Sequence, residues 1–265
     1  MTEQINSTKM SRSGMVVEIV LDFIFPEKLY CISCGNLITK ETPFGLCAEC
    51  SEDISWIREN ACFRCGRETG KTNMFCTCCR DRAEHSYIDR GFLCVNYREI
   101  EKMIVRRLKY SAQPYLAKQI AEIMYAKLSA CDVSVDILVA VPMHKKRKSR
   151  RGYNQADLIS KYLAKLMNMM FVKDAIIRTI DTKPMSDLDA SERRINVESA
   201  FILNADSRWS EYIKDKSVLL IDDVYTTGNT AEACAKILKG AGAKKVYFCA
   251  FASARSDMVT AQVCG

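Results

Sequence analysis

At 265 residues the chain has room for one full α/β domain plus a small module, so a sizeable core is available. Its 48% hydrophobic and 27% charged residues are the balance of a globular protein, which excludes a disordered chain and a membrane-embedded one. A net charge of +7 favours anionic ligands without choosing among them.

Residues 1–14 read as a flexible N-terminus. The apolar run from Met15 to Phe25 carries Glu18 and Asp22 inside it and is not followed by a small-residue cleavage site, so it reads as neither a signal peptide nor a membrane insertion. At helical spacing Val17, Val20, Leu21 and Ile24 share a face, which predicts a short amphipathic helix over 15–26, ended by Pro26. With no export signal the expected location is cytoplasmic. The fourteen cysteines are then expected to be reduced and need a use other than disulfides.

Eight of them form Cys-x-x-Cys pairs: Cys31/Cys34, Cys47/Cys50, Cys62/Cys65 and Cys76/Cys79. Twelve and ten residues separate the pairs within successive sets, a zinc-ribbon spacing in which each tight knuckle points two thiolates at one tetrahedral ion. Gly35 and Gly66 directly follow a knuckle's second cysteine, where a positive φ is often needed. The spacing predicts a zinc-ribbon module over 27–80 with one or two four-cysteine Zn2+ sites. These are structural, since zinc supplies about 10–16 kcal/mol that so small a module could not draw from its core. Cys78 competes with Cys79 for the last ligand position. Cys94, Cys131, Cys234, Cys249 and Cys264 stand in apolar or small-residue contexts and read as packing residues.

From residue 90 to 265 strands alternate with helices. Strands are predicted at 91–97, 137–141, 176–177, 218–221 and 246–251, and helices at 99–110, 114–130, 154–169 and 230–241. This alternation predicts the α/β class: a mostly parallel sheet with helices on both faces.

Two segments carry chemistry. In Val218-Leu-Leu-Ile-Asp-Asp-Val-Tyr-Thr-Thr-Gly-Asn-Thr230 an apolar run makes a buried strand with Asp222 and Asp223 at its C-terminal end, where open α/β sheets place ligands. The turn Thr226, Thr227, Gly228, Asn229 and Thr230 then offers N–H groups and hydroxyls to a phosphate at a helix N-terminus. These thirteen residues resemble the 5-phosphoribosyl 1-diphosphate (PRPP) signature of type I phosphoribosyltransferases. The other segment is the loop from Pro142 to Gln155, in which six of the seven residues from Lys145 to Arg151 are basic. It follows a strand end at the same predicted edge as the carboxylates. Cations or backbone N–H groups there would hold the charge of a departing pyrophosphate, with His144, Lys145, Arg147, Gly152 and Asn154 as candidates.

The whole resembles the ComF family of bacterial competence proteins, phosphoribosyltransferase-like proteins with an N-terminal zinc module. The likeness rests on Phe25-Pro26 running into Cys31-x-x-Cys34, Leu108-Lys-Tyr110, Val141-Pro-Met-His144, Arg151-Gly-Tyr-Asn-Gln155, Glu192-Arg-x-x-Asn196 with Ala200-Phe201, and Leu220 to Gly228. The Arg-Gly-aromatic-Asn-Gln element is the most specific. Met185 stands where the family usually has Gln, Tyr153 where Phe is commoner and Met143 where Leu is. The resemblance implies a type I phosphoribosyltransferase-like fold and a role in natural transformation, handling internalised single-stranded DNA in the cytoplasm with a competence helicase as partner. It also implies PRPP bound with Mg2+. Asp222 and Asp223 would then accept the ribose hydroxyls and help hold the metal, and residues 226–230 would cradle the 5′-phosphate. Enzymes of hypoxanthine-guanine salvage carry Asp where this chain has Thr226, so the candidate purine-side base is missing.

Two further readings are a metabolic phosphoribosyltransferase with a base or amine acceptor, and a non-catalytic zinc-ribbon scaffold. An acceptor-recognising hood would draw on 90–97 and 180–203.

Overall fold

The computed structural model describes residues 29–38, 42–69, 75–81, 86–110, 113–180, 200–206 and 208–254. The expectations for 1–14 and 15–26 lie outside these residues, as do Met185, the Glu192 to Asn196 segment and Cys264. The chain divides into two compact units, Met1–Glu52 and Asp53–Gly265.

In the first unit a bridge between Tyr30 and Leu37 closes the opening knuckle, with Cys31 N–H donating to Asn36 O at 2.7 Å and Gly35 N–H to Cys31 O at 3.0 Å. Gly35 has φ 82°, the left-handed turn that the sequence position suggested. A short helix, α1 (Ala48–Asp53), carries Cys50 inward.

The second unit opens with the same pattern: a bridge between Ala61 and Glu68, Cys62 N–H to Arg67 O at 2.6 Å, Gly66 N–H to Cys62 O at 2.8 Å, and φ 77° at Gly66. Helix α2 (Thr77–Asp81) then brings in Cys79. The division between units therefore falls between the two cysteine quartets.

Five parallel strands follow in the order β1-β7-β6-β2-β3. They are β1 (Arg90–Asn96), β2 (Ile137–Ala140), β3 (Met170–Phe171), β6 (Ser217–Tyr225) and β7 (Lys245–Ser253). Val218 to Ile221 are fully buried, because a central parallel strand is covered on both faces. Each such side chain contributes about 1.5–3 kcal/mol. Helix α8 (Asn229–Gly240) packs its Ala231, Cys234 and Leu238 against the face bearing Val218, Leu220 and Phe248. Helices α4 (Leu116–Ser129) and α6 (Gln155–Met167) pack on each other, α4 against β1 and β7 and α6 against β2 and β6.

Two features depart from the expectations. The strand expected at 176–177 is β4 (Ile176–Arg178), which leaves the main sheet and pairs antiparallel with β5 (Phe201–Leu203). Met170 and Phe171, with only two residues, carry too little periodicity to be read as the sheet edge they form. The segment 90–97, also expected to contribute to a hood, is the expected strand, β1. It is buried between β7 on one side and the stretch Ser55 to Ile57 on the other, where Ile57 N–H donates to Cys94 O at 2.9 Å and Asn96 N–H to Ser55 O at 2.8 Å. That added stretch covers a sheet edge that would otherwise be bare. Cys94, Cys234 and Cys249 are buried packing residues, while Cys131 is partly exposed.

Candidate functional site

β2 and β6 are hydrogen-bonded neighbours, with Ala140 opposite Ile221 and Val141 N–H donating to Ile221 O at 2.9 Å. The chain therefore leaves β2 beside the point where β6 presents its two carboxylates. β6 itself runs on to Tyr225, because β7 keeps pairing with it after β2 has turned away.

Asp223 N–H donates to Asp222 Oδ1 at 2.8 Å, and Asp223 Oδ2 lies 2.8 Å from Lys109 Nζ. Burial and the adjacent Asp223 push the Asp222 carboxyl well above the usual carboxylate range, with the Asp223 N–H and Lys109 pulling the other way. For Lys109, burial opposes the charge, but Asp223, reinforced by Asp222 and Tyr97, holds the ammonium above its ordinary range.

After Tyr225 the chain turns through Thr226 and Thr227 to Gly228, which has φ 86° and caps α8. A Cβ on Gly228 would run into the Tyr225 hydroxyl, so glycine is required there twice over, by conformation and by space. Thr226 is exposed, and Thr227, Asn229 and Thr230 are partly exposed around the helix start. Thr227 Oγ1 accepts from Asn229 N–H at 3.4 Å.

The basic loop is for the most part a helix, α5 (Lys145–Arg151). His144 Nδ1 caps it by accepting from Lys146 N–H at 3.4 Å, and Gly152, at φ 82°, ends it. Lys145 and Gly152 are exposed, and His144 and Arg147 are partly so. Asn154 is buried and occupied: its Oδ1 accepts from Ala156 N–H at 3.2 Å at the start of α6, and its Nδ2 donates to Val141 O at 3.0 Å and to Asp157 Oδ1 at 2.9 Å. Asn154 thus braces the end of β2 against α6.

Leu108-Lys-Tyr110 closes helix α3 (Glu99–Tyr110), and each member has a partner at the site. Leu108 O accepts from the Tyr153 hydroxyl at 2.5 Å, Lys109 holds Asp223, and the Arg151 guanidinium lies 5.0 Å from the centre of the Tyr110 ring. Lys109 carried no role in the sequence reading. Its signal was a lysine four residues after buried Val105, on the apolar face of an amphipathic helix.

The cysteines gather into two groups, Cys31/Cys34/Cys47/Cys50 and Cys62/Cys65/Cys76/Cys79, with the sulphurs of each within 4.8 Å of one another. Sγ–Sγ separations of 3.8 Å for Cys34–Cys47 and 3.7 Å for Cys65–Cys76 match the edge of a tetrahedron with Zn–S bonds of roughly 2.3 Å, which is about 3.8 Å. Thiols packed like this conflict without a cation. Cys50 is pushed up to about 12 by burial and its neighbours, whereas Cys31, despite burial, is brought down to about 7 by N–H groups of Cys47, Cys34 and Ser33. A divalent ion removes the conflict by favouring every thiolate, so both groups fit structural zinc. Cys79, not Cys78, completes the second group.

The double zinc ribbon domain family matches residues 20–83, and the phosphoribosyl transferase domain family matches 108–260. Competence protein F of Haemophilus influenzae is 30% identical over 222 residues, covering 82% of this chain and 93% of that protein. The chain belongs to the ComF family. Other relatives include the DNA utilization protein YhgH of Escherichia coli K12, 26% identical with 77% of this chain and 95% of that one covered. Competence protein ComFC of Streptococcus pneumoniae is 24% identical, with 82% and 96% covered. Among solved structures, adenine phosphoribosyltransferase from Giardia lamblia aligns over 57% of this ComF-family chain and 72% of its own, at 15% identity and a TM-score of 0.37. Among the described residues no helix is long and apolar enough to cross a membrane.

Proposed function

We propose that this ComF-family chain binds PRPP at the C-terminal ends of β2 and β6 and acts in the uptake and use of DNA. The observation that carries the reading is a juxtaposition on two hydrogen-bonded strands: the Asp222–Asp223 pair and the Gly228 turn follow from one, basic α5 from the other.

The 5′-phosphate would rest on the N–H groups at the start of α8, with Thr226, Thr227, Asn229 and Thr230 around it and no Cβ on Gly228 to hold it off. Asp222 and Asp223 would accept the ribose hydroxyls, with Lys109 paired to Asp223. His144, Lys145, Arg147 and the Gly152 end of α5 would face the pyrophosphate, while Asn154 holds the frame. Negative charge grows on pyrophosphate as its bond to the anomeric carbon breaks, and fixed cations lower that barrier. The donor set, carboxylate and hydroxyl oxygens, suits Mg2+, which when bound with PRPP would neutralise further leaving-group charge. Thr226 offers no carboxylate to take a proton from an acceptor, which disfavours a hypoxanthine-like purine.

The names of the relatives, competence and DNA utilization proteins, support DNA as the macromolecular partner, and six basic residues in α5 favour a polyanion such as single-stranded DNA. Titration calorimetry of the full chain with PRPP and Mg2+ tests the reading. Saturable binding is expected, lost when Asp222 and Asp223 are both changed to Ala. No heat from the unaltered chain would sink it and favour a zinc-ribbon scaffold. Pyrophosphate release with a base or amine would favour a metabolic transferase.

A further inference from the structure

The second cysteine quartet is joined to the phosphate turn through backbone and side chain. Gly66, in the second knuckle, lies against Gly91 of β1 so closely that a Cβ on Gly66 would sit 2.8 Å from Gly91 O, and one on Gly91 2.7 Å from the Cys65 carbonyl carbon. The next residue, Arg67, donates from Nη2 to Thr226 O, and its guanidinium stands 4.9 Å from the centre of the Tyr225 ring. Tyr225 in turn fills the space beneath Gly228. Just beyond the quartet, Ser86 Oγ donates to Glu232 Oε1 at 2.6 Å and Tyr87 N–H to Glu232 Oε2 at 2.9 Å, fastening the same segment to the first turn of α8. Cys62, Cys65 and Cys79 belong to one buried cluster with Tyr225 and Ala231.

A knuckle of this size holds its shape only while its thiolates share a metal. With the ion gone, Arg67 loses the scaffold that aims it, and the turn from Thr226 to Gly228 loses the group seated on its first carbonyl. The first quartet lies in the other compact unit.

We propose that the second quartet is a positioning element of the phosphate site: its metal-held fold keeps Arg67 on Thr226 and Tyr225, so that retention of that ion and binding of a ribose-phosphate ligand reinforce each other. The ligand in this statement rests on the PRPP reading, but the mechanical link does not. Coupling of two binding events is reciprocal, so a ligand steadied by the ribbon must also hold the ribbon's ion more tightly.

The test uses the full, zinc-loaded chain and a zinc-selective chelator, with ion release followed by a colorimetric indicator. Cysteine alkylation read by mass spectrometry identifies which quartet opens. PRPP with Mg2+ is expected to slow release from Cys62/Cys65/Cys76/Cys79 by about tenfold and leave the other quartet unchanged. Arg67→Ala, checked to retain two zinc ions, should abolish that protection and weaken PRPP by a similar factor, with Arg67→Lys recovering part of it. Hydrogen exchange without PRPP supplies the separate arm: stripping the second quartet's zinc should speed exchange of amides 226–232, and stripping the first should not. If PRPP binds but protects neither quartet, or both equally, the proposal falls. If PRPP does not bind at all, the PRPP reading falls and exchange alone decides: unchanged amides at 226–232 overturn the link, faster ones uphold it.

Discussion

Lys109 Nζ lies 2.8 Å from Asp223 Oδ2, joining the last turn of α3 to the carboxylate pair on β6. The pair is mostly withdrawn from water, with side-chain exposures of 22% and 12%, so each charge depends on the other. Lys109→Met should therefore lower stability by about 3 kcal/mol, toward the smaller end for a broken buried pair because Lys109 keeps some solvent. Combining it with Asp223→Asn should restore much of the loss. Urea unfolding of the two variants measures both effects, and a double variant no better than the single would show that Lys109 acts by packing rather than by charge.

The raised Asp222 carboxyl predicts that PRPP binding depends on pH. Its carboxyl is held well above the ordinary 3.8 in the free protein, by burial first and by Asp223 second, so it keeps a proton over a range where a normal aspartate has lost it. A ligand that needs the ionised form must displace that proton. PRPP affinity should rise with pH above 3.8, by up to about tenfold per unit, and level off once Asp222 ionises in the free chain. Calorimetry in two buffers of different ionisation enthalpy should show proton release. Stability runs the other way: the folded chain binds the proton more tightly than the unfolded one, so this group's contribution falls as pH rises through the folded pKa. Asp222→Asn should remove that fall, seen as a flatter plot of unfolding free energy against pH.

Gly228 and Gly152 both have positive φ, but their surroundings differ. A Cβ at Gly152 would meet nothing within 4 Å, so Gly152→Ala carries only backbone strain, about 1 kcal/mol. Gly228→Ala adds a collision with Tyr225 and should cost more stability and remove PRPP binding. Thermal melts with PRPP titrations on the two variants separate the effects, and equal losses would contradict the packing described for Tyr225.

Replacing Lys145, Lys146 and Arg147 together by Gln should weaken single-stranded DNA binding and reduce the slope of log affinity against log salt by about 0.7 for each phosphate no longer neutralised. An unchanged slope would remove α5 from the DNA surface. The circular dichroism spectrum should be preserved, since these residues are exposed or partly exposed.

The parallel sheet was legible because Val218 to Ile221 and Val246 to Phe251 are continuous apolar runs, and the zinc ribbons because the spacing of the cysteine pairs carries metal geometry directly. β4 was legible as a strand but not as a deserter from the sheet, since three residues do not encode which partner they choose. Lys109 left a trace as a charge on an apolar helical face. Arg67 left none: its acceptor, Thr226 O, is 159 residues away in sequence, and a backbone carbonyl has no residue type to pattern. The Arg151-Gly-Tyr-Asn-Gln155 element was legible as important but not for its reason, which is that Tyr153 and Asn154 tie α3, β2 and α6 together.

The back-to-back glycines at 66 and 91 also bear on how this protein can be taken apart. With no side chain between the knuckle and β1, nothing can be swapped on one side to accommodate a change on the other. A shortened chain starting near residue 86 would thus be a phosphoribosyl fold missing one of its walls. The natural cut lies after Glu52, and grafting either piece onto another protein should succeed there and fail thirty residues later.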